Sequence, residues 1–258
     1  MPAPDVRARK LSARDLDAVV FDMDGVVTDT ARVHGAAWRR MFDDWLRARA
    51  DRTGEVFEPF TDDDYRRYVD GKRREDGITA FLSSRGIDLP LGDPDDPADR
   101  ETVTGLGARK NAYFLEALHT DGTDAYPGTV ALVRDLQAAG IATGVITASR
   151  NGDEVLAAAG VPDLFAVRVD GRVAAELGLP GKPDPAVFLE AARRLGAGPD
   201  RTAVVEDALA GVQAGRRGGF ALVVGVDRTG HADELRAAGA DVVVGDLAEL
   251  TVEGAAVR

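Results

Sequence analysis

The chain has 258 residues, with 44 Asp and Glu against 32 Lys and Arg, for a net charge of −12. That length allows one large domain, or a core with a smaller companion. The acidity and the lack of a strongly basic run argue against nucleic acid as a partner, and the absence of cysteine excludes disulfides, thiol nucleophiles and Cys-based zinc sites.

In chain order, residues 1–17 are charged and carry no apolar stretch of the kind a secretory signal needs. No run reaches the length of a membrane span. A soluble, cytoplasmic protein is therefore expected. Ala18-Val19-Val20-Phe21 is a short apolar run that stops abruptly at Asp22-Met23-Asp24-Gly25. Such bounded runs read as buried parallel strands. They recur at 142–147, 165–169, 203–205, 221–226 and 241–244. Helical patterns fall between them, at 129–139, 184–195 and 207–217. This alternation predicts an α/β fold with a Rossmann-like, doubly wound parallel sheet.

Residues 31–118 break the rhythm. Helices are expected at 34–47, 62–68, 75–84 and 105–118, with a Pro- and Asp-rich loop at 86–102. This predicts an inserted all-helical cap over 32–118, on a core formed by 1–31 and 119–258.

Ligands of an open α/β sheet sit at the carboxyl ends of its strands. The polar residues expected there are Asp22 and Asp24, then Thr147, Ser149, Arg150 and Asn151, then Lys182, then Glu206 and Asp207. Each alone has a bland reading. Asp24-Gly25 makes a common turn, Thr147 ends a strand, and Lys182-Pro183-Asp184-Pro185 starts a helix. Asp207 suits an N-cap. Together, in this order, they suit phosphoryl transfer. Asp22 is the candidate nucleophile, able to carry an aspartyl-phosphate. Its charge repels a phosphate, and a Mg²⁺ ion held by carboxylates offsets that repulsion. Lys182 adds a point charge, and Thr147 is expected to donate its hydroxyl to a phosphate oxygen. Asp24, two residues on, is placed to act as general acid/base.

Phe21-Asp22-Met23-Asp24-Gly25-Val26, Thr147, Lys182-Pro183 and Glu206-Asp207 look like the four ordered motifs of the haloacid dehalogenase superfamily. The second Asp favours phosphate chemistry over dehalogenation. Asp22-Met23-Asp24-Gly25-Val26-Val27-Thr28-Asp29-Thr30 with His34 and Trp38 resembles the β-phosphoglucomutase family. So do Gly71-Lys72-Arg73-Arg74-Glu75-Asp76, Arg109-Lys110-Asn111 and Thr147-Ala148-Ser149-Arg150-Asn151. The resemblance implies a distal phosphate site of Arg74, Ser149, Arg150 and Asn151. It implies substrate contacts from Gly71, Lys72, Lys110, Asn111 and Ala148, and a Thr30–His34 pair that aligns Asp24 when the cap closes. It implies Mg²⁺ among Asp22, Asp24, Glu206 and Asp207. Trp38 is expected to be packing. Gly77 stands where the family often has Ser, and Arg150 where it has Lys.

The expected reaction is interconversion of β-D-glucose 1-phosphate and glucose 6-phosphate through the 1,6-bisphosphate, on a small phosphorylated sugar, by a monomer. The first alternative is a phosphatase on the same scaffold. A receiver module fits poorly, because it leaves the helical insertion unexplained. A Schiff-base phosphonate hydrolase would need Lys72 or Lys110 poised at the core.

Overall fold

The computed structural model describes residues 10–253. The expectations for 1–9 and 254–258 lie outside the described residues.

Six parallel strands form the central sheet. They are β2 (Ala18–Asp22), β3 (Ala142–Ile146), β4 (Val167–Val169), β5 (Thr202–Glu206), β6 (Leu222–Val226) and β7 (Val242–Val244), in the order β4-β3-β2-β5-β6-β7. Strand β2 sits at the point where the order reverses. It is buried along its whole length, as is β5, and continuous apolar strands are what two covered faces require. The register pairs Asp22 with Ile146 on one side and Phe21 with Val205 on the other. Thr147 and Glu206 therefore flank Asp22 at the carboxyl edge. A separate parallel pair joins β1 (Lys10–Ser12) to β8 (Thr251–Glu253). Neither strand was expected, because three residues give no readable period.

Helices cover both faces. One apolar cluster holds Val19, Phe21, Leu132, Val145 and Val205 with α5 (Pro127–Ala138) and α6 (Gly152–Ala158). The other holds Val20, Ile146, Phe188, Val204 and Val212 with α7 (Gly171–Glu176), α8 (Ala186–Arg194), α9 (Leu209–Arg217) and α10 (Ala232–Ala238). The predicted strand at 165–169 begins only at Val167. Phe165 instead packs its ring against Phe21, centroids 5.8 Å apart.

The insertion is helical, with α1 (Thr30–Thr53), a single turn α2 (Asp62–Asp64) running into a π-helical turn (Tyr65–Val69), α3 (Arg74–Ser84) and α4 (Val103–Asp121). A third apolar cluster of Trp38, Phe42, Trp45, Phe81 and Leu106 is its own core. Helices α1 and α4 belong to two clusters at once. Val33, Ala37, Phe114 and Leu118 pack with the sheet, while Trp38, Met41 and Leu106 pack in the insertion. The apolar pattern thus passes from one core to the other within a continuous helix, and no linker marks the change.

Candidate active site

Strand β2 ends on Asp22, and the next turn places Asp24. Gly25 takes φ +87, and a Cβ there would fall 1.8 Å from Asp207 Oδ2. Only glycine permits both that backbone and that approach. The Asp24 amide donates to Asp22 Oδ2 at 3.0 Å. Lys182, on the loop before α8, donates to Asp22 Oδ1 at 2.5 Å and also to Glu206 Oε1. All three side chains are buried. Burial by itself would lower the Lys182 ammonium, but Asp22 and Glu206 outweigh it and hold the charge firmly. Burial pushes the Asp22 carboxyl well up, and Lys182 does not cancel that.

Asp207 resolves its bland reading. Ala208, not Asp207, is the N-cap of α9, so the Asp207 carboxylate is free to face the cluster. Oxygens of Asp22, Glu206 and Asp207 lie within 4.8 Å of one another. Burial, then the charges of Asp70, Glu206 and Asp22, push the Asp207 carboxyl well up. Three crowded carboxylates beside a single ammonium suit a hard divalent cation with oxygen ligands, so the donor set fits Mg²⁺. The Asp24 side chain is engaged elsewhere.

Asp24 is held from three sides. Thr30 Oγ1 donates to Oδ1 at 2.5 Å, and Thr147 Oγ1 donates to Oδ2 at 2.7 Å. His34 Nε2 stands 3.3 Å from Oδ1. Burial alone would raise this carboxyl, yet His34, Thr30 and Thr147 hold it well below the ordinary range. Thr147 therefore serves Asp24, where the sequence suggested a phosphate oxygen. The adjacent ends of β2 and β3 bring the two together.

Behind His34, its Nδ1 meets Lys110 Nζ at 2.5 Å, and its ring stacks on Phe114 with centroids 4.0 Å apart. Burial and then the Lys110 charge push the imidazole down. Burial and then Arg74 push Lys110 well down. The Lys110 ammonium lies over the Trp38 and Phe114 rings at 5.1 and 4.9 Å. Trp38 packs in the insertion and also lines the cavity over Asp22.

Arg74 also lines this cavity; its Nη2 donates to Asn111 Oδ1 at 2.9 Å, and Nη1 to the Gly107 carbonyl at 3.2 Å. Asn151 Nδ2 donates to the same Asn111 oxygen at 2.8 Å. Ser149 lines the cavity with Ala148, Gly71 and Lys72. Its hydroxyl accepts from the Asn151 amide at 3.2 Å. Lys72 Nζ donates to the Arg67 carbonyl at 3.1 Å. Arg150 is not brought into the cavity. Its side chain is 55% exposed at the rim, with Glu75 4.0 Å away.

Two residues went unread in the sequence. Tyr65 and Asp70 line the cavity, and the Asp70 backbone amide donates to the Tyr65 carbonyl at 2.9 Å. Burial, then the Glu206 charge, pushes Asp70 up to about 7. An acidic residue directly before Gly71-Lys72 was the available signal.

The pattern of the haloacid dehalogenase-like hydrolases matches residues 16–219. A β-phosphoglucomutase of Mycobacterium bovis is 51% identical over 252 residues, covering 96% of each chain. The chain belongs to the β-phosphoglucomutase family. The Bacillus subtilis β-phosphoglucomutase is 30% identical, over 92% of this chain and 93% of its own. A crystal structure of β-phosphoglucomutase from Clostridium difficile superposes with a TM-score of 0.72 at 26% identity, covering 92% of this chain and 93% of that one. As a member of the β-phosphoglucomutase family, the chain is an enzyme of the phosphotransferase, phosphomutase type. Among the described residues no helix is long and apolar enough to cross a membrane.

Proposed function

We propose that the chain is a β-phosphoglucomutase that interconverts β-D-glucose 1-phosphate and glucose 6-phosphate through glucose 1,6-bisphosphate. The observation that carries this reading is the pairing of two phosphate-suited groups on one cavity. Asp22, Lys182 and Asp24 line that cavity as one group, and the Arg74 guanidinium, bonded to Asn111 and the Gly107 carbonyl, lines it as another. A phosphatase needs one such group, whereas a mutase that turns a bisphosphate around needs two.

Asp22 is the nucleophile and forms the aspartyl-phosphate. Lys182 keeps the Asp22 carboxylate oriented and adds positive charge beside the transferring group. Asp24, held as the carboxylate, takes the proton of the attacking sugar hydroxyl in one half-reaction and returns it to the leaving sugar oxygen in the other. Thr30, Thr147 and His34 fix its carboxylate. Asp22, Glu206 and Asp207 would hold Mg²⁺, which supplies charge neutralisation at the phosphate when bound. Arg74, with Ser149 and Asn151, takes the distal phosphate, and Arg150 supplies charge from the rim. Gly71, Lys72, Lys110, Asn111 and Ala148 line or brace the sugar space.

Residues 32–118 act as a lid over a core of 1–31 and 119–258. A closed lid excludes water, which would otherwise hydrolyse the aspartyl-phosphate. The enzyme is read as a monomer acting on a small phosphorylated sugar.

The test is an assay with Mg²⁺, β-D-glucose 1-phosphate and a trace of bisphosphate. Glucose 6-phosphate is the expected product. Abundant inorganic phosphate without it would overturn the reading in favour of a phosphatase.

A further inference from the structure

The loop 70–74 of the insertion lies directly on the core. A Cβ at Gly71, which has φ +69, would stand 3.0 Å from Ala208 Cβ and 3.8 Å from Lys182 Cδ. A Cβ at Gly181 would stand 2.7 Å from Arg73 Cγ. The loop is thus seated on the two core loops that carry Lys182 and Asp207. It brings a carboxylate with it. Asp70 borders the same cavity as Asp22 and Asp207. Its largest charge interaction is with Glu206, and the largest on Asp207 comes from Asp70. Seating the loop therefore adds a fourth acid to Asp22, Glu206 and Asp207. Lys182 is the only ammonium that the described hydrogen bonds give to this group, and it is already shared by Asp22 and Glu206. The added carboxylate opposes closure unless further positive charge is present.

We propose that Asp70 is a positioning residue that couples closure of the helical cap to occupancy of the cation site. A cation among Asp22, Glu206 and Asp207 turns the Asp70 contact from repulsive to attractive. By linkage, the closed cap then holds the cation more tightly than the open one. The Asp70 amide donates to the Tyr65 carbonyl at 2.9 Å, which ties the residue to the π-helical turn. The coupling gives an order to events, with the cap sealing only over a charged and loaded centre. It rests on the cation assignment made under the proposed function.

The experiment is backbone hydrogen exchange of the full chain across a Mg²⁺ titration, without sugar, beside calorimetry of Mg²⁺ binding. In the wild type, amides of 70–74 and 207–210 gain protection as Mg²⁺ binds. Asp70→Asn shows that protection without Mg²⁺ and loses the gain. Asp70→Glu, which keeps the charge, retains it. A wild type that binds Mg²⁺ with no change in these amides overturns the coupling, whatever the variants do. Equal Mg²⁺-induced protection in wild type and Asp70→Asn also overturns it. Absence of binding heat in the wild type overturns the cation reading itself, and is told apart from the other two failures by calorimetry alone.

Discussion

The Thr147 hydroxyl donates a hydrogen bond to Asp24 Oδ2 at 2.7 Å, although 123 residues separate the two along the chain. The contact follows from β2 and β3 lying side by side with Asp22 level with Ile146. With Thr30 on the other oxygen, both sides of the Asp24 carboxylate are committed and its lone pairs point in fixed directions. Thr147→Val leaves Oδ2 without its donor. An unsatisfied buried acceptor costs about 1–3 kcal/mol, so kcat/KM should fall by roughly tenfold to a hundredfold. The Asp24 carboxyl should rise toward its ordinary range, moving the acid limb of the rate profile to higher pH. Thr147→Ser should restore most of both. A Thr147→Val profile that overlays the wild type would sink this account.

Lys182 bridges two acids in a space that excludes water, with side-chain exposures of 2% for Lys182, 7% for Asp22 and 0% for Glu206. Removing one partner of a buried ion pair costs about 3–5 kcal/mol, because the other charge is left uncompensated. Lys182→Met should abolish turnover and lower the melting temperature, and added Mg²⁺ should recover part of the melting temperature. Lys182→Arg should not restore activity, since a planar fork does not fit where one nitrogen meets two carboxylates. Calorimetric melts of the variants with and without Mg²⁺ decide the matter, and an unshifted melt would show that the pair contributes little.

The sequence reading reached the sheet because β2, β5 and β6 are apolar runs buried on both faces, a pattern local to each strand. It also expected Asp22, Asp24, Thr147, Lys182, Glu206 and Asp207 at the strand exits, and they come together because strand ends converge in a parallel sheet wherever they lie in the chain. It missed what depends on distant partners. The β1–β8 pair joins residues near opposite ends of the chain, and neither strand carries a period of its own. Asp70 shares the cavity with Asp22 and Asp207, a placement for which its position just before Gly71-Lys72 was the single local signal. Arg150 has the right chemistry for an anion, but the backbone turn after Thr147 leaves its side chain at the rim beside Glu75. Helix α1 begins at Thr30, earlier than the expected 34, and Thr30, a buried polar residue bonded to Asp24, carries no apolar signal of that start.

Arg74 and Asn151 donate to one oxygen of Asn111, joining helices of the insertion to the loop after β3. A distal phosphate competing for these donors would bind both parts at once. Arg74→Ala should raise KM for the sugar phosphate strongly and lower the yield of glucose 6-phosphate relative to inorganic phosphate, because a poorly held bisphosphate leaves before it turns around. Arg74→Lys should recover little, lacking the second N–H for Gly107. Product partition measured by coupled assay checks this. An unchanged ratio would remove Arg74 from the distal site.

His34 titrates inside a closed space, facing Asp24, Lys110 and Arg74. Burial and the Lys110 charge hold its folded pKa below the ordinary histidine value of about 6.5. Between those two values the unfolded chain binds a proton that the folded chain refuses, so this residue's stabilising contribution is lost as pH falls below about 6.5. Asp70, raised to about 7, acts with the opposite sign. Its protonation favours the fold, so stability from that group grows as pH drops from above 7 toward the ordinary carboxylate range. The observable is therefore the difference between two proteins. His34→Asn keeps an oxygen to accept from Lys110 and removes the titration. Urea midpoints of the wild type should fall relative to those of His34→Asn as pH is lowered from 7 to 5, and parallel curves would mean that His34 is not held neutral by its surroundings.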